Sequence, residues 1–426
     1  MFQVLKQLFA PTNKDLRKRI GFTLAALMIF VVGTSIRVPG TTEITSNLGF
    51  LELVNAMGGD SLKNFSIFAL GVMPYISASI IMQLLQLDIV PYFSELAKEG
   101  PVGRQKINQI TRYMGIIFAF IEGFAFSFAF FGATSAIDHL YIATILTAGT
   151  AFTLWLGDRI TQKGIGNGMS LIIMAGIIKT LPTMFISAFQ GLVSNSGIIL
   201  PLGILLFVLF IIVYFLIIIG VIWVQEADRK IPIQYANKST SAFGNAQSFM
   251  PIKINSAGVV PVIFASSLLA IPVTIAQFTG KEGFIEFCNN YLSYTTPVGF
   301  LIYIVLIFFF GYFYTFIQIK PEELSKNLQQ NGGYIPGVRP GKETENYVSK
   351  VLSRLTVVGS IFLIIIAGLP ILFTALVNLS DKISLSSNVT IGGTGLLIVV
   401  GVALETYKQL EGSLVTRSYR KSYRRK

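Results

Sequence analysis

Apolar runs of roughly membrane-spanning length recur along the whole chain, parted by polar connectors. They fall near 19–36, 66–87, 113–133, 139–156, 168–192, 198–224, 255–278, 298–319, 352–378 and 389–407. A helix needs about 20 apolar residues to cross a bilayer, because backbone groups in lipid must pair within the segment. The pattern therefore predicts about ten transmembrane helices. The run Ile198–Val224 holds no charged residue, whereas others are broken by Gly71 and Pro74, by Pro261 and Pro272, and by Gly392, Gly393 and Gly395. Such breaks survive where neighbouring helices or a water-filled cavity satisfy the backbone, so they point to a pathway through the bundle.

Composition removes the soluble alternative. Only 13% of the 426 residues are charged and 53% are hydrophobic, against about 25% charged in a soluble domain. The expected fold class is all-α, a polytopic membrane protein. With the N-terminus placed inside, 28 of the 33 Lys and Arg residues fall in inside segments; the outside keeps Arg37, Lys63, Lys179, Lys281 and Lys382. That asymmetry orients the chain with both termini cytoplasmic, since cytoplasmic loops carry the excess of Lys and Arg. The net charge of +12 thus reads as a membrane signal, with no nucleic-acid readout expected. Two inside loops are long, about 225–253 and 320–351. Span counting divides the chain into halves of residues 1–195 and 196–426.

Catalytic chemistry is sparse. Cys288 and His139 are single in the chain, which excludes an internal disulfide and leaves no Cys/His metal set. No removable signal peptide is expected, because no short apolar run with a small-residue cleavage site opens the chain. The segment Gly337–Glu343 has the wrong spacing for a phosphate loop and no hydroxyl. His139, beside Asp138, reads as an ordinary histidine of a short outside loop. No catalysis, cofactor or metal is expected, and any nucleotide energy must come from a partner. Glu122 lies inside the third run and is costly in lipid, so it should face the interior, a cavity or a partner. Glu405, near the inner end of the last run, reads as interfacial.

Several segments carry a resemblance. SIFALGVMPYISASIIMQLL from Ser66 to Leu85 and WLGDRITQKGIGNGMSL from Trp155 to Leu171 resemble the two signature segments of the SecY family, the channel-forming subunits of bacterial protein translocases. KIPIQYA from Lys230, SAGVVPVIFASS from Ser256, YIPGVRPG from Tyr334 and GGTGLLI from Gly392 follow in family order. The resemblance implies two pseudo-symmetric five-helix halves around a central hourglass pore. Its waist would be a ring of Val72, Ile76, Met169, Ile173, Ile263 and Ile398. On spacing alone, Val72/Ile76 and Met169/Ile173 are i, i+4 pairs that share a helix face, a pattern ordinary helix packing also produces. Met169 stands where the family usually has a branched side chain, and its flexibility would make the seal more compliant.

The resemblance further implies a plug, a short helix in about 56–65 that includes Gly59, Asp60, Ser61, Leu62, Lys63 and Asn64, with Asp60 or Ser61 as its cap. A lateral gate to lipid would lie between spans two and three and spans seven and eight, near Ser77, Gln83, Glu122, Ile271 and Ile275. The family more often has an uncharged residue at the Glu122 position. Pro336, Gly337, Arg339 and Pro340 would form the docking loop for the SecA ATPase or the ribosome. The tip of the preceding loop, Lys238–Gln247, carries one basic residue where an Arg-rich tip is common. SecE and SecG are the implied membrane partners, and unfolded preproteins or signal peptides the implied substrates. The function so implied is a protein-conducting channel that also releases apolar segments into membrane lipid. The alternative is an ion-coupled secondary transporter, against which the scarcity of midplane charges weighs.

Overall fold

The computed structural model describes residues 14–44, 51–86, 90–131, 135–194, 200–235, 248–279, 281–293, 296–378 and 387–424. In chain order its helices are α1 (Lys14–Gly33), α2 (Leu51–Met57), α3 (Met73–Leu85), α4 (Pro91–Lys98), α5 (Pro101–Phe131), α6 (Ala136–Lys163), α7 (Gly168–Phe189) and α8 (Leu200–Glu226). After α8 come α9 (Val260–Thr279), α10 (Glu282–Phe287), α11 (Pro297–Gln318), α12 (Pro321–Gln330), α13 (Lys342–Asn378) and α14 (Ser387–Arg424). Each of the ten apolar runs falls largely on one of α1, α3, α5–α9, α11, α13 and α14. The protein is a multi-pass helical membrane protein, as its hydrophobic pattern requires.

Polar sequence displaces several helix boundaries. The α5 helix begins at Pro101, twelve residues before its apolar run, because 101–112 is a helix-compatible polar segment preceded by Gly100 at φ +77°. α13 and α14 likewise extend well past their apolar runs. The second run behaves in the opposite way. Its first seven residues, Ser66–Val72, are turns, and the helix starts only at Met73, with Gly71 at φ +54° and Pro74 in the first turn. At 13 residues α3 is about 20 Å long, short of the ~30 Å apolar layer. The backbone of its lead-in is satisfied inside the protein: Ile67 N–H donates to the Ile36 carbonyl at 2.9 Å, and Arg37 bridges to Ser66.

His139 is not in a loop. Ser135 and Asp138 form a reciprocal capping box that starts α6 immediately before it. The imidazole is buried, with Nδ1 2.7 Å from Ser127 Oγ on α5.

The two long loops of the basic side are structured. β1 (Asp228–Tyr235) pairs antiparallel with β2 (Ser248–Lys253) and with the two-residue β3 (Gly333–Tyr334), in the order β2–β1–β3. Ile231, Ile252, Ile335, Val348 and Leu352 bury a small core beneath this sheet. The tip Lys238–Gln247 lies outside the described residues.

The long helices pack in two groups. α1, α3, α5, α6 and α7 contact one another, as do α8, α9, α11, α13 and α14, and the groups meet along two seams. At one seam α7 lies against α14, with Gly395 packed close on Ile177. At the other, α9 faces α3 and α5. The short α2 sits between the groups, touching α7, α9 and α14.

Candidate functional site: a sealed waist between two cavities

Three of the six expected ring residues, Val72, Ile76 and Ile173, border one small void. Val72 and Ile76 sit at the start of α3, Ile173 on α7, Ile263 on α9 and Ile398 on α14, and all are buried in the central apolar cluster. Where Val72, Ile76 and Ile173 meet Val54 and Met57 of α2, the remaining void is about 10 Å³. That volume holds one water molecule at most. Met169 packs against the same cluster from its edge. It is half-buried, lies on the wall of the cavity on the basic side, and its thioether packs over Gly157 of α6.

The plug segment differs from its expected form. Its helix is α2, Leu51–Met57, earlier than the expected 56–65; Gly58–Asn64 are turns. Asp60 caps no helix. It adopts φ +60°, and its carboxylate accepts from Asn55 Nδ2 at 2.9 Å. Asn55 also accepts the Lys63 N–H through Oδ1, and the Ser66 N–H donates to the Ser61 carbonyl, both at 2.9 Å. These bonds tie the segment to itself in spite of its irregular backbone. Ser61 and Leu62 are wholly buried.

Gly59, at φ +73°, lies against Gly176 of α7, and a side chain on Gly176 would collide with the Met57 carbonyl. The segment therefore docks backbone against backbone. Beside it, Lys179 Nζ donates to Thr34 Oγ1 at 2.7 Å, fastening the end of α1 to α7. Burial pushes the Asp60 carboxyl above the usual carboxylate value, opposed by the Asn55 hydrogen bond and the charges of Lys179 and Lys63. The sequence did carry a signal for α2: Leu51, Val54 and Met57 recur at about one-turn spacing just ahead of two glycines.

A polar cavity of about 610 Å³ lies on the basic side. Arg19, Tyr75, Arg112, Asp158, Met169 and Glu405 are among its walls. The Arg112–Asp158 ion pair, 2.8 Å, crosses from α5 to α6. Sequence reading missed this pair because residues 46 apart reveal proximity only in the fold.

The second cavity, about 560 Å³, lies at the α3/α5–α9 seam and is overwhelmingly apolar. Ser77 from α3, Glu122 from α5 and Ile271 and Ile275 from α9 all line it, with Leu51 and Val54 of α2 at its inner end. Gln83 does not join them. Its Nε2 donates to Ser79 Oγ at 3.2 Å one turn back, and its buried Oε1 finds no partner among the described residues. Rim residues Ile121 and Ile275 are exposed, so the cavity reaches the lipid-facing surface.

Pro336, Gly337, Arg339 and Pro340 are exposed together on a turn of the basic side. Gly337 takes φ +81°, and the Arg339 carbonyl accepts from Thr344 Oγ1 at 2.9 Å. Ile335 and Val338 pack below, so the turn rests on a folded base.

Six membrane-length apolar helices and further shorter ones among the described residues, packed in two groups with a short segment of the chain between them, define a polytopic helical membrane protein. The SecY family model matches residues 66–407. Protein translocase subunit SecY of Staphylococcus carnosus is 47% identical over 99% of both chains. Two solved structures share the fold. One, described as a protein conducting channel, has a TM-score of 0.66 at 21% identity, covering 93% of this chain and 92% of that one. The other, Sec61 in a canine ribosome–channel complex from the endoplasmic reticulum, has a TM-score of 0.65 at 20% identity with the same coverages. The chain belongs to the SecY family. It is a protein-conducting channel subunit of a membrane, and the secondary-transporter alternative is set aside.

Proposed function

We propose that this chain passes unfolded secretory proteins through the waist formed by Val72, Ile76, Ile173, Ile263 and Ile398, and releases apolar segments sideways at the α3/α5–α9 seam. One observation carries this reading. Val72, Ile76 and Ile173, whose side chains make no directional bonds, pack with Val54 and Met57 of α2 around a void of about 10 Å³, so a segment of the chain itself fills the space they border. Apolar constrictions exclude ions by dewetting, yet yield to a peptide because no polar partner must be replaced. Met169 would form the inner lip of the waist.

Residues 1–195 and 196–426 act as two halves that part at the cavity-bearing seam and stay joined where α7 packs on α14. The basic side faces the cytoplasm, with both termini there, in a bacterial plasma membrane. SecE and SecG would brace the halves. The SecA ATPase or a translating ribosome would engage Arg339 on its turn and supply the substrate. The chain performs no catalysis itself, since the motor's ATP provides the driving energy.

Co-reconstitution with SecE and SecA in liposomes tests this reading. ATP-dependent import of a preprotein is the expected result. No import, with SecA shown to be active, would overturn it.

A further inference from the structure

The cavity at the α3/α5–α9 seam holds one feature that lateral release of apolar segments does not require. Among its lining residues Glu122 is the single charged side chain, set among Phe118, Phe124, Ile271 and Ile275. Its helix is closely packed. Neighbouring Gly123 lies on Ala143 and Leu146 of α6, and Gly115 lies on Tyr75 of α3, which holds α5 close to both helices while Glu122 itself stays half-buried. No hydrogen bond or ion pair reaches its carboxyl group among the described residues. Two nearby hydroxyls are already committed: Ser267 Oγ donates to the Ile263 carbonyl at 2.8 Å, and Thr274 Oγ1 to the Ala270 carbonyl at 2.9 Å.

We propose that Glu122 is a selectivity determinant of the lateral opening, favouring apolar segments that bear one Lys or Arg at the depth of its carboxylate. The inference rests on the reading proposed above. Charge complementarity names the occupant. A carboxylate in apolar surroundings gains most from an incoming cation that also donates a hydrogen bond. A basic residue on a passing segment would otherwise enter lipid unpaired, at substantial cost. Segments with an acidic residue at that depth bring no cation to pair with Glu122 and pass on through the pore.

The test uses the full chain with SecE and SecA, offered model segments of Leu and Ala in which one Lys is stepped along the sequence. Protease protection reads inserted against translocated product. In the wild type, the inserted fraction should peak at one Lys depth. There the Lys-to-Leu insertion ratio should fall about tenfold in Glu122→Gln, the loss of one charge-assisted bond. Glu122→Lys should move the preference to Asp-bearing segments. The ratio to the Leu series cancels any general defect in the variant. A wild-type profile flat with Lys depth overturns the proposal without recourse to any variant, as does an equal ratio in wild type and Glu122→Gln. Failure of the wild type to insert the Leu series would instead overturn the channel reading itself.

Discussion

Gly176 and Asp60 set opposite constraints on the seated segment. Gly176 permits close approach, and a Val there must displace the Met57 carbonyl. Overpacking of this kind costs about 1–3 kcal/mol, or roughly a five- to 150-fold shift toward the unseated state. Gly176→Val should therefore raise resting ion conductance in planar bilayers. Asp60 works through its proton. Its carboxyl titrates above the usual 3.8 when seated, with burial the leading cause. The seated state thus holds the proton more tightly than the solvated one. Seating is most favoured below the usual carboxylate value and weakens as pH rises through the raised one. Resting conductance should be lower near pH 4 than at neutrality, and Asp60→Asn should flatten that dependence. Neither role was legible from the sequence. Gly176 lies far along the chain from Gly59, and a carboxylate's burial is a property of the fold.

At the level of elements, the apolar runs located the spans but not where helices begin. Runs report where lipid or core is met, whereas helices end at glycine, proline and capping residues. Hence α5, α13 and α14 outrun their apolar segments, and α3 falls short of its own. The fold of the two long loops on the basic side escapes sequence reading because their core is small, five buried residues from two strands, a helix and the turn after β3, far apart in sequence. That base gives the Arg339 turn a fixed geometry. Arg339→Glu should cut SecA-driven import into liposomes tenfold or more. Gly337→Val should weaken it less, by straining a positive-φ position while keeping the guanidinium; initial import rates at limiting SecA distinguish the two.

Across the whole molecule, the two seams are unlike. The α7/α14 seam is close-packed around Gly395 and Ile177, whereas the α3/α5–α9 seam holds a cavity of about 560 Å³. Motif order along the chain placed four of the five expected gate residues on that cavity; Gln83 failed because its side chain turns back on its own helix. Val72, Ile76 and Ile173 share one void, while Met169 packs at the edge of the central cluster, its thioether over Gly157. Replacing Ile76 and Ile173 together by Ser should hydrate the waist and raise ion leak about tenfold or more, read as single-channel events in bilayers.

The void of about 10 Å³ at the waist has an electrical consequence. A membrane potential falls where there is no conducting water. The polar cavity of the basic side, with Met169 on its wall, offers aqueous solution room close to that constriction. The voltage drop is then compressed into the waist and the segment seated on it, instead of spreading over the full ~30 Å apolar layer. A charged residue of a chain threading this constriction would feel most of the ~2.3 kcal/mol per 100 mV within a few ångströms of travel. A seal against ions at this point would thus also concentrate the field where a passing residue must cross.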